Sequence, residues 1–356
     1  MATTPLTDRA RSLRARRGLK ELSEVSARIG SEPLLVQGPG GNTSIKIGDE
    51  LWVKGSGVWL AEAARRQIFT CVSLAQVRER LAAGDAENLA DTVLPNGDPG
   101  LRPSIETALH ALMPHRAVAH AHAVGAMTVS VLRDGKARAA SALDGHVRWT
   151  WVPYRRPGSP LAGLIAGILA KEPADVLILE NHGVVVGADT PVETEARLRE
   201  VEGRLHFQIR ALPTPDLGRI ESLQTAQYET LAAMSGVALD TELTMALTAA
   251  PLFPDQVVFV GGAAPALEPG EGLDAASDRV EAASGVKPVL LLAPGVGAFG
   301  LRGRTRAADS VIQGLFDVAV RLPPGAQVRG LPDGAIPALL GWDAETYRKK
   351  LALGAG

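Results

Sequence analysis

The chain has 356 residues, of which 46% are hydrophobic and 21% are charged, and its formal net charge is -2 at pH 7. This composition is typical of a globular protein, and the near-neutral charge excludes a general attraction to nucleic acid or to an anionic membrane surface. No apolar run reaches the roughly 20 residues that span a bilayer, so we expect a cytoplasmic protein that acts on a small molecule.

The single cysteine, Cys71, limits the kinds of metal site that the chain could build. One thiol excludes an internal disulfide framework and a cysteine-rich zinc module, and it fits a reducing compartment. Any metal site must therefore use histidines and carboxylates.

Short strands separated by glycine turns dominate the first half of the chain. A helix is predicted over residues 8–30, and the strand-like runs "LLVQG", "NTSIKI" and "ELWVKG" follow it. The next helix is predicted from Ser104, its expected N-cap, to Met113, because a proline flanks it on each side. The run "RAVAHAHA" then predicts a strand of small and branched residues.

The second half of the chain mixes predicted helices and strands. A helix is predicted in "SPLAGLIAGILAKEP", a strand or strand pair in "ADVLILENHGVVVGAD", and a long helix that Thr190 caps and Pro191 begins. Strands "QVVFVG" and "KPVLLLAPG" and a helix over 305–320 follow. Because hairpin turns dominate and strict β–α alternation is absent, we predict an α/β fold with a mixed or mostly antiparallel sheet. The loop "LPTPDLG" separates a domain of residues 1–212 from a smaller α/β region, residues 213–356.

Three histidines form a candidate metal site. His120 and His122 are two positions apart in an apolar run, so on a strand both side chains point to the same face. His182 lies downstream in "LENHGVVVG", where Gly183 permits a sharp turn. Three neutral imidazoles that leave a fourth position open are typical of catalytic Zn²⁺. The alternative is that each histidine is a core or turn residue whose ring bonds to a backbone carbonyl.

Glu106 is the candidate group for proton transfer. It is predicted in the first turn of the helix that leads to the histidine strand, and His110 lies on the same helix face. A carboxylate beside a metal can act as general acid or base next to a polarised carbonyl. The alternative for Glu106 is an acid favoured by the helix dipole. We expect His110 to be a packing residue or to contact the site residues without being a metal ligand.

The glycine-rich loops "GPGGNTS" and "KGSG" are candidates for binding an anion through exposed N–H groups. The "PS" pair that ends at Ser104 adds the start of a predicted helix. The alternative is that both loops are tight turns without a ligand. The loop side chains that could contribute are Asn42, Thr43, Ser44 and Ser56.

Six motifs, in this order along the chain, resemble the class II aldolase/adducin family. The resemblance is strong over roughly residues 20–210 and is nearest to the aldolase portion of rhamnulose-1-phosphate aldolase/alcohol dehydrogenase fusions. One departure is Ala123, which follows the histidine pair where the family often has proline. The motifs are "GPGGNTSIK", "LWVKGSG", "PSIETALH", "VAHAHA", "RRPGSPLA" and "ENHGVVVGAD".

The resemblance implies a role for each candidate residue. It implies that His120, His122 and His182 bind a divalent ion, usually Zn²⁺, and that Glu106 is the catalytic acid/base. It also implies a symmetric homo-oligomer, commonly a tetramer. The residues implied around the phosphate or equivalent anionic end of the substrate are Gly41, Asn42, Ser56, Gly57 and Ser104, to which the loop composition adds Thr43.

The run "GVGAFG", Gly295 to Gly300, favours a different function, a nicotinamide-dependent dehydrogenase. It is a G-x-G-x-x-G sequence between a predicted strand and a predicted helix. A dinucleotide site also requires a second strand ending in Asp or Glu, and "RLPPGAQVRGLPDGAIP" contains no clear one. We therefore expect a structural βα turn here, with an anion near Arg302, Arg304 and Arg306 as a further option.

The predicted function is that of a zinc-dependent aldolase, a lyase of carbohydrate metabolism. It would cleave a ketose phosphate or related hydroxy-ketone by retro-aldol chemistry through a metal-bound enediolate. The same residues could serve a sugar-phosphate 4-epimerase or a keto-acid phosphate decarboxylase. An adducin-like interaction module without catalysis is an alternative from another class; it predicts loss of the ligands, yet all three histidines and Glu106 are present.

Overall fold

The computed structural model describes residues 5–96 and 100–354, with side chains described from residue 16 to residue 352 apart from 97–99 and 217. Residues 1–4 of the first predicted domain and 355–356 of the second lie outside the described residues. Contacts between Cα atoms divide the chain into two compact units. The first comprises the described residues up to His122 with 143–179 and 184–204, and the second comprises 123–142, 180–183 and 205–354. The predicted boundary after residue 212 stays a prediction.

The first unit is built around a mostly antiparallel sheet, which in the described residues has seven strands in the order β3-β2-β1-β4-β7-β6-β5. Strand β1 pairs antiparallel with both β2 and β4, and β4 pairs antiparallel with β7. Strands β5 and β6 pair in parallel. The predicted α/β fold with a mostly antiparallel sheet is confirmed. The strands are β1 (Asn42–Ile47), β2 (Glu50–Lys54), β3 (Phe69–Ser73), β4 (Ala117–Ala121), β5 (Trp149–Val152), β6 (Val176–Leu179) and β7 (Gly183–Ala188).

Helices pack on this sheet through apolar side chains. One buried cluster joins the helices α3 (Thr107–Leu112) and α6 (Ser159–Leu169) to the middle of the sheet. It includes Leu109, Val118 and Ile165. Full burial of such a side chain contributes about 1.5–3 kcal/mol relative to exposure. The helices of this unit are α1 (Pro5–Gly30), α2 (Leu74–Ala82), α3 (Thr107–Leu112), α6 (Ser159–Leu169) and α7 (Pro191–Arg204), with 3-10 turns at Leu60–Ala64 and Ala90–Thr92.

The second unit contains a small antiparallel sheet in the order β8-β10-β9. A hydrogen bond of the buried Tyr228 connects two segments of this unit, because its hydroxyl donates to the Pro288 carbonyl at 2.7 Å. The strands are β8 (Tyr228–Thr230), β9 (Leu290–Ala293) and β10 (Gly297–Leu301). The helices are α4 (Val124–Ser130), α5 (Gly135–Leu143), α8 (Leu217–Ser222), α9 (Ala232–Ala238), α10 (Thr241–Ala249), α11 (Pro254–Val260), α12 (Leu273–Ser284), α13 (Arg306–Ala319), α14 (Ala335–Leu340) and α15 (Asp343–Gly354).

No single described helix is both long and apolar enough to cross a bilayer. Helices α10 and α11 reach such a length and apolar composition only when taken together, and they are bent by 84° relative to each other.

Several predicted elements are wrong for identifiable reasons. "LLVQG" is a turn, because the N–H groups of Leu35 and Val36 both bond back to the Glu32 carbonyl. "QVVFVG" is the helix α11, because Pro254 begins it and Gly261, at φ 97°, ends it. All of its residues are buried, so no alternation of polar and apolar positions distinguishes helix from strand.

Two further predictions concern glycine and serine turns. "GVGAFG" is not a βα turn: Gly295, at φ 70°, lies in the hairpin between β9 and β10, and Gly297 already belongs to β10. The helix predicted from Ser104 begins only at Thr107, because Ser104 forms a separate turn in which its carbonyl accepts from Thr107 N–H.

Candidate metal centre and its carboxylate

Two candidate ligands lie at one end of strand β4. His120 is the fourth residue of β4, where it pairs with Asn42 on one side and Val185 on the other. His122 follows directly after the strand. Both are buried, and their rings meet edge to face with centroids 5.0 Å apart. The predicted arrangement on one face is therefore present.

The third candidate ligand, His182, lies in the turn between β6 and β7. Asn181 before it has φ 53°, in the left-handed region, and Gly183 after it begins β7. His182 is buried, and one nitrogen of each of the three rings lies within 4.8 Å of the other two. This grouping could hold a metal ion.

The hydrogen bond of His120 is compatible with a metal on its other ring nitrogen. Its Nδ1 lies 3.0 Å from the Val184 carbonyl, which can only accept, so Nδ1 carries the proton. The neutral ring then has its lone pair on Nε2. Histidine ligands of zinc are commonly oriented by such a bond from the second nitrogen to a carbonyl. Three neutral imidazoles are the donors of a catalytic zinc site.

Glu106 lies beside this cluster. It occupies the position just before α3, and its side chain makes no capping bond to that helix. Instead Oε2 accepts from Asn42 Nδ2 at 2.8 Å and lies 3.4 Å from His120 Nε2. The alternative, an acid favoured by the helix dipole, does not by itself account for these two contacts.

His110 contacts the same group of residues. It is fully buried, with Nδ1 2.7 Å from Ser44 Oγ and Nε2 bonded to Asn42 Oδ1. Burial lowers the pKa of His110 to about 3, so the ring is neutral at pH 7. Of the two expectations for His110, a packing residue or a residue that contacts the site without being a ligand, these polar contacts favour the second.

The first glycine loop packs against the histidines. A Cβ at Gly40 would lie 2.7 Å from His122 Nδ1, and one at Gly41 would lie 3.0 Å from the His120 carbonyl. Gly41 also has φ 61°, which favours glycine. This loop therefore sets the position of the rings, whatever it does for a substrate.

A buried lysine connects the two glycine loops. Lys54 is 2% exposed, and its Nζ donates to the Pro39 carbonyl at 2.8 Å and to the Val58 carbonyl at 2.7 Å. Its charge thus lies between the loops that are predicted to bind an anion. Lys54 was not among the residues predicted from the sequence. The feature that indicates it is a lysine at the end of an apolar strand, directly before Gly-Ser-Gly.

The remaining predicted substrate residues lie in three places. Ser104 lies with Asn42 and Glu106, because its Oγ accepts from Asn42 Nδ2 at 3.3 Å and from Glu106 N–H at 3.2 Å. Ser56 donates its N–H to the Arg102 carbonyl, and Gly57, at φ 77°, ends that loop. Thr43 is not with them: its hydroxyl bonds to Ser26 of α1 at 2.6 Å, on the other side of β1. The structure thus brings Asn42, Ser104 and Glu106 together.

Comparison with known proteins identifies the family. The model of the class II aldolase and adducin N-terminal domain matches residues 20–209. The chain belongs to this family. The curated relative YuxG of Bacillus subtilis, an uncharacterized oxidoreductase, is 32% identical over 199 residues, which are 51% of this chain. The match spans only 28% of that relative's length.

Solved structures that resemble this aldolase-family chain cover about half of it. The N-terminal class II aldolase domain of a Thermoplasma acidophilum protein is 28% identical, with a TM-score of 0.46 over 52% of this chain and 90% of its own. A sugar-phosphate aldolase from Thermotoga maritima is 13% identical, with a TM-score of 0.43 over 54% and 93%.

The structure does not support a dinucleotide site at Gly295 to Gly300, a run that lies outside the residues matched by the family model. The hairpin at Gly295 lacks the strand-turn-helix context that the fingerprint requires. The neighbouring basic side chains are compensated, because Arg302 and Arg304 each pair with Glu229, at 2.9 and 2.8 Å.

Proposed function

We propose that this chain is a divalent-metal-dependent aldolase that cleaves a carbon–carbon bond in a ketose phosphate or a related hydroxy-ketone. The observation that carries the proposal is the carboxylate of Glu106 lying 3.4 Å from His120 Nε2, beside a cluster of three buried histidines. Family membership supports it, because class II aldolase chemistry uses such an ion.

His120, His122 and His182 would hold the ion, with Zn²⁺ favoured by the all-imidazole donor set. When bound, the ion supplies Lewis-acid polarisation of the substrate carbonyl. Glu106 would move the proton at the carbon next to that carbonyl. In cleavage the hydroxyl of the fragment that becomes the aldehyde would lose its proton to solvent, and the electron pair of the broken carbon–carbon bond would stay on the carbon next to the carbonyl. Glu106, protonated at the start of this step, would deliver its proton to that carbon; in the reverse direction Glu106 would remove it and the aldehyde oxygen would take up a proton from solvent.

The anionic end of the substrate would bind at the glycine loops. Asn42, Ser56 and Ser104 offer side-chain groups, and Gly41 and Gly57 allow the backbone to approach closely. The buried charge of Lys54 between these loops favours a phosphate or carboxylate at that end. Thr43 stays a predicted contributor through its backbone alone, since its hydroxyl bonds to Ser26.

An epimerase or a decarboxylase would use the same residues and differ in the product. The full chain, loaded with Zn²⁺, should be incubated with ketose 1-phosphates, free ketoses and keto-acid phosphates. Release of dihydroxyacetone phosphate and an aldehyde supports the aldolase; a sugar inverted at carbon 4 or released carbon dioxide would replace it with one of the alternatives. An adducin-like module predicts no turnover of any substrate and no retained zinc.

We also propose that the protein is a homo-oligomer, with a tetramer expected from the family. Size-exclusion chromatography with light scattering on the full chain tests this. A mass equal to that of the 37.2 kDa chain at micromolar concentration would contradict it.

A further inference from the structure

A continuous row of buried hydrogen bonds leads from strand β1 to Glu106. Ser44 Oγ lies 2.7 Å from His110 Nδ1, and His110 Nε2 bonds to Asn42 Oδ1. Asn42 Nδ2 then bonds to Glu106 Oε2 at 2.8 Å and to Ser104 Oγ at 3.3 Å. The proposed reaction uses Glu106 and leaves the role of His110 and Ser44 open.

Chemistry fixes the direction of every bond in this row. The Asn42 carbonyl oxygen can only accept, so the proton of the neutral His110 ring must be on Nε2. Nδ1 therefore accepts, and the Ser44 hydroxyl must donate to it. The amide group of Asn42 is then left to donate toward Glu106. All donors point from Ser44 toward the carboxylate.

The sheet places the members of this row. Asn42 and Ser44 are two positions apart on β1, so their side chains share a face and reach the two nitrogens of one ring. The pairing of β1 with β4 puts Asn42 opposite His120, and the row therefore ends beside the histidine cluster. Changing the register by one residue would turn both side chains away.

We propose that His110 is a positioning residue, held by Ser44 in its Nε2–H form, that orients the Asn42 amide so that its NH₂ group faces Glu106. Without the His110 donor, the amide could rotate by half a turn. Its oxygen would then face the oxygens of Glu106 and displace the carboxylate from its place beside His120. The inference rests on the proposed function only in assigning proton transfer to Glu106; the direction of the bonds does not depend on it.

Nuclear magnetic resonance of the full chain with ¹⁵N-labelled histidine rings tests the bond direction. For His110 we expect a protonated Nε2 and an unprotonated Nδ1, unchanged between pH 5.5 and pH 8, and side-chain N–H signals of Asn42 that exchange slowly with water. In the variant His110→Phe, which keeps a ring of similar size, the Asn42 signals should lose this protection. A protonated Nδ1 in the unmodified protein, or unchanged protection in the variant, would overturn the inference.

Proton exchange tests the positioning role. With Zn²⁺ bound, the rate of deuterium incorporation into dihydroxyacetone phosphate should fall about 10²-fold in His110→Phe, the low end of the effect of general acid–base catalysis. KM should change less than about threefold, since uniform binding is retained. His110→Gln, which keeps an N–H₂ group for Asn42, should recover most of the rate, and Ser44→Ala should lose about tenfold.

The matched control is Ser26→Ala, which removes a buried hydroxyl that lies 2.6 Å from Thr43 Oγ1 on the opposite side of β1, against 2.7 Å between Ser44 Oγ and His110 Nδ1. It should leave the exchange rate within about twofold. Equal losses in Ser26→Ala and Ser44→Ala would overturn the positioning role, because the effect would then be one of general stability. No exchange in the unmodified protein, with the expected ring form of His110, would contradict the proposed function and still support the bond direction.

Discussion

The two ends of strand β4 each carry a histidine beside a carboxylate, and they differ in what donates to that carboxylate. At one end His120 Nε2 lies 3.4 Å from Glu106, which accepts from the neutral amide of Asn42. At the other end, just before β4, His115 Nε2 lies 2.7 Å from Asp175. There the Arg148 guanidinium donates to both carboxylate oxygens, at 2.6 and 3.0 Å.

The donor determines what the carboxylate can do. Burial raises the pKa of Asp175, but hydrogen bonds from Arg148 and His115 outweigh it and bring the pKa below its ordinary value. Asp175 is therefore held ionised and suits a structural role. The Asn42 amide, which donates to Glu106, is a donor of another kind, because it carries no net charge.

The Asp175 end of β4 also borders a cavity. A cavity of about 490 Å³ opens at the Asp175 end, lined by His115 and by charged side chains of α7 such as Arg197. The chemistry of three imidazoles and a carboxylate lies at the other end. The predictions below compare matched changes at the two ends.

The largest expected effect is on turnover. Glu106→Gln should lower kcat by about 10²- to 10⁴-fold, because the amide cannot move a proton, while bound zinc stays at the level of the unmodified protein. Asp175→Asn, the same chemical change at the other end, should leave kcat unchanged. Steady-state kinetics with zinc analysis check this, and an active Glu106→Gln variant would remove Glu106 from its proposed role.

The next effect is on metal content. His122→Ala should reduce zinc affinity by more than about 100-fold, since loss of an outer partner of a ligand already costs 10- to 100-fold. His115→Ala should retain zinc fully. Titration with zinc against a competing chelator measures both, and equal affinities in the two variants would contradict the assignment of the ligands.

A glycine change should move a ligand without removing it. Gly40→Ala places a Cβ 2.7 Å from His122 Nδ1, so we expect zinc affinity to fall by about 10- to 100-fold. Gly167→Ala in α6, where a Cβ would meet nothing within 4 Å, is the control. If both variants bind zinc like the unmodified protein, the loop does not position the ring.

At the Asp175 end of β4 we expect a change in the free energy of unfolding. Asp175→Asn removes the negative charge of a carboxylate that accepts hydrogen bonds from His115 and Arg148. The free energy of unfolding should therefore fall by about 1–3 kcal/mol at pH 7. Urea denaturation of the full chain measures this. A loss below the error of the extrapolation would mean that the Asp175 group is not structural.

The smallest effect is the pH dependence of that difference. The folded-state pKa of Asp175 is lowered from 3.8, so its contribution is complete above that pH and is lost as the pH falls through the folded-state value. The part of the stability difference between the unmodified protein and Asp175→Asn that comes from this shift should therefore shrink below about pH 4. A difference that grows on acidification would contradict this.

Local patterns were predictable because they depend on neighbours in the chain. The spacing of His120 and His122 gives a shared face on any strand. The helix after Thr190 forms with the expected cap, in which Glu193 N–H donates to Thr190 Oγ1 and Thr190 N–H donates to Glu193 Oε2. The helix predicted over 305–320 is present as α13, capped by Thr305.

Two of the failures share a cause in tertiary burial. Strand β3 was not predicted, and α11 was predicted as a strand; both consist wholly of buried residues. A segment buried on all sides has no polar face, so its sequence lacks the period that distinguishes helix from strand. Thr43 was grouped with Asn42 by adjacency, but alternation along β1 turns its side chain to Ser26.

The sequence by itself determined which residues could do chemistry and the family to which they point: two histidines on one strand face, a third in a glycine turn, and an acid before a helix. Only the tertiary structure decided their partners. The pairing of β1 with β4 puts Asn42 beside Glu106, and the close approach of Gly40 sets His122. These contacts join residues more than 60 positions apart, and no local period encodes which distant groups a folded sheet brings within hydrogen-bond distance.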